Sequence, residues 1–260
     1  MTVTLMGLAL AVVGGGLIGL LLSVFGGGGS VLATPLLLYV VGVRDPHVAI
    51  GTAAAAVAVN AAVGLARQGK AGRVKWPCAL VFAAAGLAGS LTGAHFAKRM
   101  DGQHLLIWFA VAMGMVGLSM LRPQTGEGDP DVHLTPPLVL KLAPLGLIVG
   151  LAAGFFGIGG GFLIVPGLMA ATGMTLANAA ASSLVSVVLF GGATSLSYAA
   201  SGLIDPVVFL ALVAGGAVGA IAGGPLAKVL AGRAALARRL FAIMVLATAG
   251  YVAARASGFL

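Results

Sequence analysis

The feature that most constrains this chain is a glycine cluster that occurs twice inside apolar sequence. Phe25-Gly-Gly-Gly-Gly-Ser30 returns 131 positions later as Phe156-Gly-Ile-Gly-Gly-Gly161. The same spacing links Pro35 to Pro166 and Gly42 to Gly173, and the small polar pair Gly51-Thr52 corresponds to Ser182-Ser183. The chain is therefore an internal duplication. Each glycine in a helix gives up about 1 kcal/mol relative to alanine and admits positive φ. Apolar segments interrupted at matching points of two halves point to the binding site of a transporter.

The segments read as membrane-spanning. Hydrophobic residues make up 60% of the 260 and charged residues 8%, with a mean hydropathy of +1.13. Met1 to Val43 and Leu142 to Ile204 contain no Asp, Glu, Lys or Arg. A bilayer pass takes about 20 apolar residues, so the first stretch holds one full pass and a shorter return, and the second holds that and another pass. Further passes are expected at Val48 to Ala66, Trp76 to Ala97, Leu105 to Leu121, Pro206 to Ala227 and Ala234 to Ala254. The total is about ten helices, two of them short. Met1 to Leu5 lacks the positive charge of a signal peptide, so no cleavable leader is expected. Cys78 is a single apolar-segment cysteine and reads as a buried small hydrophobe.

The net charge of +8 is informative through its placement. Arg67, Lys70, Arg73 and Lys75 crowd one short loop, and Lys228, Arg233, Arg238 and Arg239 crowd another. The positive-inside rule puts both in the cytoplasm. Yet the two loops are not equivalent in the duplication. The partner of the first is Ala199 to Asp205, with one acid and no base, and the partner of the second is the weakly basic Lys98 to His104. The bias changes sides between the halves, as it does in an inverted-topology repeat. The fold expected is thus an all-α polytopic membrane protein. It has two inverted repeats of about five helices each, whose glycine-broken or re-entrant short helices meet near the midplane. Residues 1–121 form the first repeat, 122–137 a flexible polar cytoplasmic linker, and 138–260 the second repeat. Both termini fall outside, in the plasma membrane, which in a bacterium is the inner one.

Later glycines also repeat, at a spacing of 130: Gly86, Gly89 and Gly93 against Gly216, Gly219 and Gly223. Small residues three and four apart let helix backbones approach in lipid, and these read as scaffold. The clusters read differently. After each comes a short helix, Val31 to Val41 and Phe162 to Thr172. A helix N-terminus offers unpaired donors and roughly half a positive charge. Two such ends facing each other would suit a small oxyanion without any buried Lys or Arg. The hydroxyls and amide of Ser30, Thr52, Asn60, Ser182, Ser183 and Ser186 supply further donors, although such groups in membrane helices also bond to their own backbone. Asn60 aligns with Gly191, and could equally tie helices together. Among the histidines only His47, at the outer mouth, is placed for coupling to protons.

The paired Phe-Gly-x-Gly-Gly clusters, the prolines after them, the Gly51-Thr52 and Ser182-Ser183 pairs and the basic loop together resemble the TauE/SafE sulfite exporter family of transmembrane sulfur-anion transporters. The resemblance covers nearly the whole chain in two copies. It implies secondary transport, or facilitated passage, of sulfite, sulfonates or related organosulfur anions, with no cofactor. Carried over by position, the contacts are Gly27, Gly28, Gly29 and Ser30, then Gly159, Gly160 and Gly161. The halves differ at Gly27 against Ile158 and at Ser30 against Gly161. The partners implied are the anion, the bilayer and a coupling ion, proton or sodium, with no nucleic acid. The alternatives are a non-transporting membrane scaffold or accessory subunit, a carrier of a different small ion and an intramembrane enzyme. The apolar stretches hold no aspartate pair, His-Glu-x-x-His or Ser-His arrangement for the last of these.

The swapped charge bias makes a prediction about topology. Cysteines placed at Gly72 and Gly232 should react with an impermeant thiol reagent from the cytoplasm, and cysteines at Ser201 and Gly102 from outside. Labelling of Gly72 and Ser201 from the same side would contradict the inverted repeat.

Overall fold

The computed structural model describes residues 5–121, 128–156 and 161–256. The expected all-helical, polytopic architecture is found. Helix α1 (Leu5–Phe25) runs into a 3-10 stretch (Gly26–Leu32), a single turn α2 (Ala33–Leu36) and a π turn (Leu37–Val41). There follow α3 (Pro46–Lys70), α4 (Trp76–Ala97), α5 (Gly102–Leu121), α6 (Pro136–Phe156), α7 (Gly161–Thr172), α8 (Leu176–Ala199), α9 (Pro206–Ala231) and α10 (Ala234–Ala256). Eight helical runs among the described residues are long and apolar enough to cross a membrane, and α7 is a shorter apolar helix. Leu5, Val13, Leu140, Leu196, Val218 and Ile221 are among the most exposed side chains, as lipid-facing residues should be.

The helix ends are set by local chemistry, and several ends match between the halves. The Asp45 carboxylate accepts from the amides of His47 (2.8 Å) and Val48 (3.4 Å) at the start of α3, while Thr175 accepts from Asn178 (3.3 Å) at the start of α8. Asp205 caps α9 in the same way, with Pro206 in the first turn. Gly42 (φ 85°) ends the π turn, and its counterpart Gly173 (φ 71°) follows α7. Gly72 (φ 68°) and Gly202 (φ 70°) are a second matched pair.

Gly26, at φ 60°, turns the chain back on α1. The Gly29 α-carbon lies against the backbone of Leu21 and Leu22, and Leu36 fills the space over Gly14, so the segment after Gly26 returns antiparallel to α1. This is the full pass with a shorter return. In the second half α7 packs back on α6, with Gly167 beside Val149.

Helix packing exchanges between the halves. The most extensive pairs are α1 with α9 and α6 with α4, so the first helix of each half lies on the fourth helix of the other. The equivalent helices α3 and α8 pack on each other, as do α5 and α10. Two tethers repeat the pattern: Thr52 Oγ1 accepts the Asp205 amide (2.9 Å), and Ser182 Oγ accepts the Lys75 amide (2.9 Å). Ring pairs do so too, with Phe25 on Phe241 (5.4 Å) and Phe156 on Phe109 (5.6 Å). Helices α3 and α8 run antiparallel, since the C-terminal end of α3 and the first turns of α8 line one hollow.

The described part of the linker is docked rather than loose. The Asp129 amide donates to the Gly173 carbonyl (2.8 Å), Asn178 Nδ2 donates to the Pro130 carbonyl (3.0 Å), and Asp131 lies 4.0 Å from Lys75. Linker and basic loop therefore share a face.

The tight helix pairs rest on glycine. Gly15, Gly19, Gly215 and Gly219 place α1 and α9 backbone to backbone, and Gly86, Gly89, Gly93, Gly146 and Gly150 do so for α4 and α6. A Cβ at any of these would strike the opposite helix's main chain. Gly219→Ala and Gly89→Ala should each destabilise the protein by about 1–3 kcal/mol through overpacking. Gly114→Ala and Gly250→Ala, which meet open space, should leave its melting temperature unchanged or raise it. Thermal unfolding of the four purified variants checks this, and equal effects at all four would contradict the packing account.

Candidate functional site

The first glycine cluster meets Gly161 and Ser183 of the second half in the interior. The Gly27 amide donates to Ser183 Oγ (2.9 Å), the Ser183 hydroxyl donates to the Ala180 carbonyl (2.7 Å), and the Ser30 hydroxyl donates to the Gly27 carbonyl (2.7 Å). Gly161 stands directly against Gly27. A Cβ on Gly27 would lie 2.9 Å from the Gly161 α-carbon and 3.3 Å from Ser183 Oγ, while one on Gly161 would run into the Gly27 carbonyl. Ser30 and Ser183 are wholly buried. Small residues are required here because two main chains from different halves pass within contact distance.

Not all of the sequence-predicted residues gather at this point. Gly27, Ser30, Ser183 and Gly161 do. Gly28 and Gly29 belong to the same 3-10 stretch, but the side-chain position of Gly28 is filled by the Phe241 ring and that of Gly29 by the α1 backbone. Thr52 and Ser182 are spent on the two loop tethers. Asn60 donates to the Leu212 carbonyl (3.4 Å) and packs on Gly216, so its amide ties α3 to α9. The Asn60 carbonyl oxygen and the Ser186 hydroxyl are buried without a partner among the described residues. Gly159 and Gly160 lie outside the described residues. The expected break in the helix also differs in form. The first cluster continues as 3-10 helix, and one of its donors is taken by a serine of the other half.

A cavity of about 390 Å³ opens beside the basic loop, lined by Ser23, Gly64, Arg67, Gln68, Arg73, Leu184 and Gly224. A smaller hollow of about 40 Å³ shares Ser23, Gln68, Arg73 and Ala227 with it and reaches Phe25 and Ala180. Ala180 accepts the Ser183 hydroxyl and abuts Gly26, so the hollow ends next to the first cluster. Arg67 Nη1 donates to the Ala220 carbonyl (2.6 Å), which also accepts from Ser23 Oγ (3.0 Å). Sequence reasoning assigned Arg67 and Arg73 to topology alone. A hint was nonetheless present, because at a spacing of 130 their positions in the second half hold the uncharged Ser197 and Leu203.

On the opposite face, the equivalent space is filled. Ile50, Ala94, Ala97, Leu105 and Tyr198 form one buried cluster, flanked by Met100, Phe155 and Leu203. Through the duplication Ile50 corresponds to Ala180, Ala97 to Ala227 and Met100 to Leu230, each of which lines the open hollow on the basic side. The Tyr198 ring has the Lys98 ammonium 5.9 Å from its centroid and the His47 ring at 6.4 Å. The Tyr198 hydroxyl and His47 Nδ1 are buried without partners among the described residues.

The arrangement is one of buried hydroxyls and main-chain groups at the meeting of two halves, with a basic cavity on one face whose inner hollow ends at Phe25 and Ala180. Comparison with known proteins agrees. A "Probable membrane transporter protein" of Xylella fastidiosa (strain Temecula1 / ATCC 700964) is 44% identical over 250 residues, covering 96% of each chain. "Probable membrane transporter protein YunE" of Bacillus subtilis (strain 168) is 28% identical over 225 residues, covering 77% of this chain and 79% of its own. No solved structure matches the chain. The model of the family described as "Sulfite exporter TauE/SafE" matches residues 11–252, and the chain belongs to that family of membrane transporters.

Proposed function

We propose that the protein is a secondary transporter, or facilitator, of small sulfur-containing anions such as sulfite, sulfonates or other organosulfur oxyanions. The anion binds where Gly27, Ser30, Ser183 and Gly161 converge, and access to it alternates between the two faces. One observation carries this reading: the space beside the clusters is open on the basic face, while its repeat equivalent on the other face is packed shut around Tyr198. A state open to one side only is what an alternating-access carrier passes through, and two equivalent halves allow the exchange. The family's name supports the choice of substrate class. Donors supplied by main chain and hydroxyls suit a small oxyanion that must also leave.

The same reading places the loop at 67–75 and the linker in the cytoplasm and both termini outside, with the halves inverted. The antiparallel α3 and α8 and the linker's contact with Lys75 support that placement. A proton or sodium ion as coupling ion belongs to this proposal, with His47 beside Tyr198 as the group placed to take a proton.

The test is flux into liposomes holding the purified protein, with sulfite, thiosulfate, sulfoacetate, taurine and sulfate as the panel. At least one sulfur anion should enter faster than into protein-free liposomes. Ser183→Ala should raise its KM about tenfold if, in the anion-bound state, its hydroxyl turns from the Ala180 carbonyl to the anion, since a hydrogen bond to a charged group contributes about 1.5–3 kcal/mol. Ser30→Ala should be milder, at about 1 kcal/mol. Absence of flux for the whole panel with folded protein would contradict the proposal.

A further inference from the structure

We propose that Arg67 and Arg73 form a second anion-binding site, a vestibule station separate from the glycine clusters and present on one face only. This rests on the transport reading above for the identity of the anion, and on the cavity for its existence. The cavity beside the basic loop has about 390 Å³ of space, enough for a sulfur oxyanion with some of its water. Arg67 and Arg73 line it together with Gln68 and Ser23, and no acidic residue belongs to its wall. Among the described residues neither arginine has an acidic partner. The nearby carboxylate of Asp131 is the one beside Lys75.

Topology alone does not explain where Arg67 points. A cation that serves only to keep a loop in the cytoplasm has no need to turn inward. Arg67 instead reaches across to α9, where Nη1 donates to the Ala220 carbonyl, and Nη2 lies beside Gly224, 2.7 Å from where a Cβ would stand. That bond uses one edge of the guanidinium and leaves donors for an oxyanion. Arg73 sits at the shared wall of the cavity and the inner hollow that leads to Phe25 and Ala180. An anion held by both arginines therefore stands at the entrance to the inner site. Planar guanidinium pairs are the protein groups best matched to oxyanions.

The duplication supplies the control. At the spacing of 130 that relates Ile50 to Ala180 and Ala97 to Ala227, the equivalent positions are Ser197 and Leu203, which carry no charge, and Leu203 packs against the closed cluster of the other face. Charge at this position is thus not a requirement of the fold. The station has been built into one half, so it should act only on anions that arrive from the basic face.

The experiment is initial-rate sulfite transport by the full-length protein in inside-out and right-side-out membrane vesicles. With the basic face towards the medium, Arg67→Gln and Arg73→Gln should each raise the KM for sulfite about tenfold, the loss of one charged hydrogen-bonding partner, with the maximal rate little changed. Arg67→Lys should recover part of the affinity. From the opposite face the KM should not move. A purely structural role for Arg67, stapling α3 to α9, would instead lower the melting temperature and the maximal rate alike from both faces, and that result would overturn the proposal. Arg73→Gln keeps the test open if Arg67→Gln does not fold. An oxyanion here could also be a lipid phosphate. In that case transport would depend on anionic lipid in liposomes while the KM for sulfite stayed the same in both variants, which also refutes the station. Should the wild type move no sulfur anion, calorimetric titration of the purified protein with sulfite decides separately. Binding lost in Arg67→Gln and Arg73→Gln upholds the station while the transport reading falls, and no binding to the wild type ends both.

Discussion

The close approach of main chains at glycine is the contact on which the rest of this structure depends. Lipid offers no hydrophobic reward for pairing two apolar helices, so association has to come from packing. Gly19 against Gly216 in one pair and Gly150 against Gly86 in the other let α1 sit on α9 and α6 on α4 without side chains between them. Each half is thereby clamped by a helix of the other. The first cluster follows α1 and Gly161 opens α7, so the same clamps bring Gly27 and Gly161 together. Scaffold and site use one residue type for one reason, which is that only glycine permits backbone contact.

Within this reciprocal frame the halves have diverged where chemistry is at stake. The tethers from Thr52 and Ser182, the helix-ending Gly42 and Gly173 and the ring pairs of Phe25 and Phe156 are all kept in both. By contrast Gln68 and Arg73 are matched by Tyr198 and Leu203, and Ser30 is matched by Gly161, which has no hydroxyl. The space on one side is lined by arginines and open, and its equivalent on the other is filled by an apolar cluster. Tyr198 and His47 hold a buried hydroxyl and a buried imidazole nitrogen without partners among the described residues, which are costly groups to leave unpaired. Opening of that face would return both to water.

Much of this was legible in the sequence, because the signals were local. The apolar run Trp76–Ala97 is a helix with those bounds, and the glycines at 86, 89 and 93 form the close helix contact that their spacing implies. Gly42 and Gly173, which the sequence pairs at a spacing of 131, both take positive φ. What stayed hidden depends on tertiary contact. Nothing local says that the Gly27 amide is met by Ser183, that Thr52 and Ser182 turn to loop amides, or that Gly29 is filled by its own helix. The arginines at 67 and 73 were hidden for another reason. Positive charge near a membrane-helix end has a sufficient explanation in topology, and only the fold shows that these two line a cavity.

The central claim is that two equivalent spaces, one beside Ala227 and one beside Ala97, open in turn. It is tested most directly by the thiol reactivity of Ala227→Cys and Ala97→Cys, each in a Cys78→Ser background, measured from both faces of membrane vesicles with and without sulfite. The account predicts that Ala227→Cys reacts from the basic face in the absence of anion while Ala97→Cys is protected. A sulfite gradient should then change the two reactivities in opposite directions. Reactivity of both positions at the same time, or an Ala97→Cys that never reacts while sulfite crosses the membrane, would contradict it.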